Sequence, residues 1–323
     1  MMAATTIQPT SPGATTWALL LTNGFLIALM LALAKIATGQ GVPAITYAFW
    51  QTLIAGGTLL LCARPRAEVF QTRLARYFLI SGLTGIAIPN AIAFFLVTKL
   101  GAGFTGIMYA LPPIFTFLIA TTLGLEARNW NKLIGLSIAV AACAWIILQR
   151  HSDMQQANGL WFLLGLLIPI SLSIGNVYRS VAWPDSTRPM TLAAGTMMAS
   201  ALALGVLAGW SDIPLVATEF TQPFITVIIP QGLLTALTYY CAFAVQKRSS
   251  PVFYSQLGAI AALFGLLIGA VWFNEHYPVA IWLGALMVIA GLRLSNRRGQ
   301  PKPSATRLSA KAMDNVKAMP GRE

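Results

Sequence analysis

The chain has 323 residues, of which 57% are hydrophobic and only 9% are charged, and its mean hydropathy is +0.71. This composition excludes a water-soluble domain, because such a domain needs far more charge to cover its surface. The formal net charge is +12. The basic residues lie between apolar segments and in the tail, a distribution that indicates membrane orientation and argues against nucleic-acid binding.

Ten apolar segments follow one another along the chain. About 20 apolar residues are needed to cross the roughly 30 Å hydrocarbon layer, and backbone groups in lipid must be satisfied within the segment, which favours helices. The predicted fold class is therefore all-α, a polytopic membrane protein with ten transmembrane helices. The segments are 17–36, 44–63, 77–98, 104–124, 132–149, 159–181, 190–210, 223–245, 252–273 and 279–295.

The charges of the short loops predict which way the segments face. With a cytoplasmic N-terminus, 18 of the 21 Lys and Arg residues lie inside, and only Lys35, Lys99 and Arg150 lie outside. Because positive residues favour the cytoplasmic side, we expect a bacterial inner-membrane protein with both termini in the cytoplasm. Residues 1–16 carry no Lys or Arg and form a cytoplasmic segment, and the basic tail 296–323 is predicted to be disordered.

The second half of the chain repeats the first. Shifting residues 93–146 by 149 positions gives an ungapped alignment with ten identities, among them Glu126 with Glu275. This pair is informative, since the chain has only 9 acidic residues. The repeats span 17–149 and 159–295, with five segments each. Five is odd, so the second repeat is predicted to be inverted, an architecture that transporters use with a site near the membrane midplane.

Two stretches of the repeats resemble a known family. They read LGAGFTGIMYALPPIFTFLIATTLGLE (100–126) and SSPVFYSQLGAIAALFGLLIGAVWFNE (249–275), and each precedes a Gly-containing helix. This pattern resembles the drug/metabolite transporter superfamily, specifically its EamA-type ten-helix members, over roughly 17–295. The resemblance implies a metabolite transporter that exports amino acids or related compounds. The family often has Pro thirteen residues before the Glu, which Pro113 matches and Ala262 does not.

Polar side chains at membrane depth are mostly amides and phenols. A buried amide in lipid costs a few kcal/mol unless it is paired, so each one either bonds a neighbouring helix or faces a solute. As a set they favour a water-filled central cavity, and Asn90 and Tyr239 are related by the same shift. The predicted substrate-binding residues are Asn23, Trp50, Gln51, Asn90, Tyr109, Asn176, Tyr178, Gln231, Tyr239 and Gln256.

Prolines and cations mark further positions of interest. Pro89, Pro112 and Pro113 interrupt the third and fourth segments and are predicted hinges, although proline is common in such helices. Lys35 ends the first segment outside, and Arg179 ends the sixth inside. Each either snorkels to the interface or acts as a mouth cation that attracts a carboxylate or phosphate.

Acidic residues are absent from the middle of every segment. Glu126 and Glu275 lie at helix ends, where we expect a structural role as caps of backbone N–H groups. Proton-driven transporters usually carry a carboxylate or His within the membrane. The sequence therefore favours facilitated diffusion or solute exchange over a carboxylate-based proton antiport.

The predicted function is a secondary transporter that moves an amino-acid-like or related organic solute by alternating access, as export or exchange. A flippase for a lipid-linked substrate would keep the same fold. An integral-membrane lipid enzyme is disfavoured, because it needs a reactive pair, a metal cluster or a carboxylate dyad. Neither catalytic residues, a metal nor a cofactor is predicted, and the partners are a small-molecule substrate and the lipid bilayer. Frequent Gly and Ala leave open a homodimer.

Overall fold

The computed structural model describes residues 12–38, 43–64, 72–93, 95–96, 108–150, 159–215 and 222–296, and all regular structure within these ranges is helical. We number the helices α1 (Ala14–Thr38), α2 (Ala44–Ala63), α3 (Thr72–Gly82), α4 (Pro112–Thr122), α5 (Trp130–Arg150), α6 (Gly159–Val181), α7 (Pro189–Trp210), α8 (Gln222–Arg248), α9 (Pro251–Ser255), α10 (Leu257–Trp272) and α11 (Val279–Ser295). A π-helical turn, Leu83–Ala87, continues α3.

Proline sets the start of several helices. Pro112, Pro189 and Pro251 occupy the first turn of α4, α7 and α9, where the missing N–H would have no helical partner anyway. Pro43 and Pro278, both with extended backbone, precede α2 and α11. Each of these five helices therefore starts at or directly after a proline, which cannot donate a backbone hydrogen bond to a preceding turn.

Within the described residues, 7 helical spans are long and apolar enough to cross a membrane, where α9 and α10 count together as one span (Pro251–Trp272), and α4 and α11 are shorter apolar helices. The outward faces of these helices carry large apolar side chains, such as Leu31 on α1, Leu202 on α7 and Leu283 on α11. A soluble protein rarely exposes apolar surface on this scale. The surface is that of a protein solvated by lipid.

Helices of the two halves pack against each other throughout the bundle. α1 lies on α8 and α10, while α6 lies on the π-helical turn and α4. α2 lies on α7 and α8, while α7 lies on α3. α5 and α11 form the most extensive helix pair.

Glycine brings α5 and α11 into backbone contact. A Cβ atom on Gly291 would lie 2.6 Å from the backbone N of Ala139 and 2.6 Å from the carbonyl O of Gly135. Real Cβ atoms essentially never approach other atoms this closely, so only glycine permits this crossing. Small residues at helix crossings serve this purpose in membranes, where dispersion replaces the hydrophobic effect between helices.

Three helices differ from the sequence expectation. α3 begins at Thr72, five residues before the predicted segment. The ninth segment, predicted as one helix over 252–273, is divided at Gln256 into α9 and α10. α4 begins at Pro112, whereas the predicted segment began at 104; residues 97–107 lie outside the described ranges, as do 1–11 and the tail 297–323.

Candidate functional site

Arg179, near the C-terminal end of α6, points into the bundle. Its Nε donates a hydrogen bond to Oε1 of Gln246 on α8 (2.9 Å), and its Nη2 donates to Oδ1 of Asn176 (2.7 Å). Side chains of a helix lean toward its N-terminus, which directs the guanidinium back along α6. Only 6% of the residue is exposed. Arg179, predicted as a mouth cation or a snorkelling residue, is thus buried between α6 and α8.

The guanidinium lies against the π-helical turn of α3. Within this turn the N–H of Ile88 bonds the carbonyl of Leu83, one residue further back than in an α-helix. Pro89 explains the wider turn, because it has no N–H to offer the Gly85 carbonyl and its ring would clash with that group in an α-helix. Such turns occur frequently at functional sites.

Serine side chains lie beside the carbonyls of this turn. Ser171 Oγ donates to the carbonyl of Thr84 (2.9 Å), whereas Ser200 Oγ donates to its own helix at Thr196 (2.7 Å) and lies 3.3 Å from the carbonyl of Gly82. In lipid an unsatisfied carbonyl is costly, so neighbouring helices must supply donors where the α-helical pattern is broken. The irregular turn is thus stabilised by α6.

Two glycines make room for the cation. A Cβ atom on Gly85 would overlap Nη1 of Arg179, and one on Gly175 would lie 2.8 Å from Thr84 Oγ1. On the side of the guanidinium that faces Gly85 and Gly175, Arg179 therefore lies against backbone rather than side chains. Any larger residue at Gly85 would displace it.

Phenols surround the cation and continue the polar region across the bundle. The charge of Arg179 interacts electrostatically with the hydroxyl groups of Tyr77, Tyr239 and Tyr254. Tyr239 in turn interacts with Tyr109, whose hydroxyl donates to Asn90 Oδ1 (3.0 Å). The Tyr178 ring lies 5.7 Å from that of Tyr77. We call this group the Arg179 cluster: Tyr77, Asn90, Tyr109, Asn176, Tyr178, Arg179, Tyr239, Gln246 and Tyr254.

The cluster unites half of the predicted substrate-binding residues, namely Asn90, Tyr109, Asn176, Tyr178 and Tyr239. Three members were missed: Tyr77, Gln246 and Tyr254. Tyr77 and Gln246 lie at the edges of their predicted segments, so they were not counted among the polar side chains at membrane depth. Tyr254 lies within an apolar segment, and the criterion that selected Tyr239 could have found it.

The other five predicted binding residues lie elsewhere. Gln231 Nε2 donates to Gln51 Oε1 (2.9 Å), which pairs α8 with α2. Trp50 Nε1 donates to the carbonyl of Leu215 (2.8 Å). Gln256 accepts from Asn296 Nδ2 (2.7 Å) at the end of α11. Asn23 on α1 is fully buried, and neither atom of its amide has a hydrogen-bond partner among the described residues.

A separate cavity of about 140 Å³ lies between α1, α8 and the end of α10. It has no polar lining group and offers nothing to recognise a polar solute. Its lining residues are Leu29, Ala32, Leu33, Leu234, Trp272 and Phe273.

The helix-end carboxylates have side-chain partners. Glu126 Oε2 forms an ion pair with Lys132 Nζ (2.8 Å), and Glu275 Oε2 accepts a hydrogen bond from the Tyr277 hydroxyl. Their own backbone N–H groups bond the carbonyls of Ala120 and Gly269. Those two carbonyls are related by the 149-residue shift, so both helix ends close in the same way.

The remaining predicted positions divide between the described and undescribed parts of the chain. Pro89 is buried directly after the π-helical turn. Pro112 and Pro113 lie in the first turn of α4, not in a helix interior, beside the end of the short helical stretch 108–110. The side chain of Lys35 lies outside the described residues. No group of three metal-ligating side chains occurs in the ranges that the structure describes.

An all-helical bundle with a lipid-facing surface and a buried cluster of phenols, amides and a cation defines a polytopic membrane protein. The chain belongs to the EamA-like transporter family, whose model matches residues 15–148 and 159–297. It is thus a transporter and not an enzyme, with two copies of the family repeat.

Two comparisons extend this assignment. A curated relative from Streptantibioticus cattleyicolor (strain ATCC 35852 / DSM 46488 / JCM 4925 / NBRC 14057 / NRRL 8057), described as a probable terminal-alkyne amino-acid exporter, is 24% identical over 269 residues. The alignment covers 80% of this chain and 84% of the relative. A crystal structure described without a function has a TM-score of 0.73 at 17% identity, covering 93% of this chain and 99% of the other. That structure supports the fold alone.

Proposed function

We propose that the protein moves a small amino-acid-like or related organic solute across the bacterial inner membrane by alternating access, as an exporter or exchanger. The observation that carries the proposal is the Arg179 cluster, which gathers amides, phenols and a cation from α3, α6, α8, α9, the residues after the π-helical turn and the stretch 108–110 in the bundle interior. The relative described as an amino-acid exporter supports the solute class.

The proposed architecture is ten transmembrane helices in two inverted repeats. The packing supports it, because exchanging the halves maps the helix contacts onto one another. The contacts of α1 with α8 and α10 correspond to those of α6 with the π-helical turn and α4. The contact of α2 with α8 corresponds to that of α7 with α3, and the pairs α2–α7 and α5–α11 correspond to themselves. This pattern is expected of a two-fold relation between the repeats.

The proposed orientation has both termini in the cytoplasm, as the Lys and Arg distribution favours. In that orientation Arg179 and Gln246 lie near the cytoplasmic ends of α6 and α8. The cluster then extends outward through Tyr239 and Tyr109 to Asn90. A solute moving along these groups would exchange hydrogen bonds with water for hydrogen bonds with phenols and amides.

Proline positions supply the proposed hinges. At Pro89 the π-helical turn already departs from α-helical geometry, and Ser171 donates to its Thr84 carbonyl, so small changes in angle leave few groups unsatisfied. At Pro112 the helix is interrupted, because Leu111 separates the stretch 108–110 from α4. Both hinges flank the Asn90–Tyr109 hydrogen bond.

Counterflow in proteoliposomes tests the proposal. Vesicles with the purified full-length protein are loaded with one of a panel of amino acids and related acids, and uptake of the labelled solute is followed. We expect exchange of at least one amino-acid-like solute, with no change when a protonophore is added. Protein-free vesicles and the Arg179→Ala and Lys35→Ala variants are the comparisons, and both variants should exchange more slowly. Failure of every solute in the panel would refute solute exchange and direct attention to lipid-linked cargo.

A further inference from the structure

Arg179 has no acidic counter-ion in the described part of the chain. Its hydrogen-bond partners are the neutral amides of Asn176 and Gln246, whereas the cation of Lys132 pairs with Glu126. A buried charge without a counter-ion is costly, because desolvation is repaid only when an opposite charge and hydrogen bonds replace water. Other buried cations in proteins are therefore usually paired. A structural ion pair does not account for Arg179.

The guanidinium also keeps donors available. Its Nη1 makes no hydrogen bond with any described residue, and Nη2 uses one bond to Asn176. The amides of Asn176 and Gln246 hold the plane of the guanidinium, since they bond Nη2 and Nε. Next to Nη1 lie Gly85 and Gly175, which carry no side chain that could bond it. A fixed planar fork with free N–H groups matches the two oxygens of a carboxylate.

We propose that Arg179 is the residue that binds the carboxylate of the transported solute, and this inference rests on the transport function proposed above. The charge balance favours a carboxylate over a phosphate ester, because one cation neutralises a monoanion but leaves a dianion with excess charge. The phenols of Tyr239 and Tyr254 can accept hydrogen bonds from an ammonium group, and their rings attract it. The solute class is thus a monocarboxylate, with or without an α-amino group.

Direct binding to the purified full-length protein tests this subsite. The probes are 2-amino-4-pentynoate (a terminal-alkyne amino acid), 4-pentynoate and L-phenylalanine, each compared with its carboxamide, and inorganic phosphate. Binding is measured as a ligand-dependent rise in unfolding temperature over a concentration series. The wild type should bind at least one acid about 10- to 100-fold more tightly than its carboxamide, as expected for a hydrogen bond to a charged group.

Variants of Arg179, Gly85 and Gly57 distinguish how the charge of Arg179 and its position each affect acid binding. Arg179→Gln should remove the preference for the acid, and Arg179→Lys should keep only part of it, because an ammonium is no planar fork. Gly85→Ala retains the charge but displaces Nη1, and it should weaken acid binding about tenfold or more. Gly57→Ala is the matched control, since no atom lies within 4 Å of its added methyl group, and its preference should equal that of the wild type.

Several results would overturn the subsite. These are equal binding of acids and carboxamides, no binding of any acid, binding of phosphate alone, or an acid preference that survives in Arg179→Gln. If Arg179→Gln does not fold, Gly85→Ala decides between the same outcomes. The transport proposal is judged separately by counterflow. Acid-selective binding without counterflow refutes transport and keeps the subsite, whereas equal counterflow of acid and carboxamide keeps transport and refutes the subsite.

Discussion

The crossing of α5 and α11 provides a direct test of the fold. Gly291→Ala adds a Cβ atom 2.6 Å from the Ala139 N and the Gly135 O, where ordinary contacts are 3.4–4 Å. Because both obstructing atoms belong to the backbone, no side chain can rotate away. The two helices must separate by about 1 Å to relieve the overlap.

The magnitude follows from two opposing terms. A separation of about 0.5–1 Å forfeits a quarter to a half of the dispersion energy across the crossing, and overpacking of this kind costs about 1–3 kcal/mol. The higher helix propensity of alanine offsets about 1 kcal/mol of this. We expect the free energy of unfolding to fall by up to about 2 kcal/mol in Gly291→Ala.

The control is Gly265→Ala on α10, where nothing lies within 4 Å of the added methyl group. Only the propensity term applies there, so the free energy of unfolding should rise by about 0.5–1 kcal/mol. Titration with a denaturing detergent, followed by circular dichroism, measures both variants. The two should differ by the overpacking term, about 1–3 kcal/mol, which is roughly 5- to 150-fold in the unfolding equilibrium. A Gly291→Ala protein as stable as the control would refute the backbone contact.

Three further predictions concern polar and backbone groups. Gln51→Leu should destabilise the protein because it leaves the buried Gln231 amide unpaired. The double variant with Gln231→Leu should restore stability, with a coupling free energy of about 0.5–1.5 kcal/mol between the two positions. Additive effects of the two substitutions would contradict the Gln51–Gln231 hydrogen bond. Lys132→Met should cost about 1–3 kcal/mol in detergent unfolding, since Glu126 is only 8% exposed, and adding Glu126→Gln should recover most of this if the unpaired charge is the cause. Pro89→Ala should restore an α-helical hydrogen bond at the π-helical turn and slow counterflow severalfold without loss of stability; an unchanged rate would argue against a hinge.

Hydropathy predicted the bounds of several helices well. The bounds of α2, α6 and α11 agree with the predicted segments, and α7 differs by one residue at its start. Pro43, Pro189 and Pro278 fix three of these starts, which sequence can reveal. The start of α3 was missed because its first turn contains Arg73 and Arg76. Hydropathy registers contact with lipid, whereas a helix needs only backbone hydrogen bonds.

The site was less predictable, because its formation depends on how each helix is rotated. Gln51 and Gln231 are as polar and as deep as the amides of the Arg179 cluster, yet they face one another. A cation at a helix end can point to the interface or inward, and the sequence of α6 alone does not decide between them. Arg179 turns inward where Asn176 on its own helix and Gln246 on α8 accept its hydrogen bonds and Gly85 leaves space for it. Such a match between distant residues appears only when the helices are placed in three dimensions.

The glycine crossing has a consequence for motion. Where α5 meets α11, peptide groups touch with no side chains between them, so sliding one helix along the other would force backbone atoms over one another. By contrast, α3, α6 and α8 are joined through Arg179 and Gln246, whose long side chains can change rotamer while the helices shift. We therefore expect α5 and α11 to move as one rigid pair, relative to which α3, α6 and α8 can tilt.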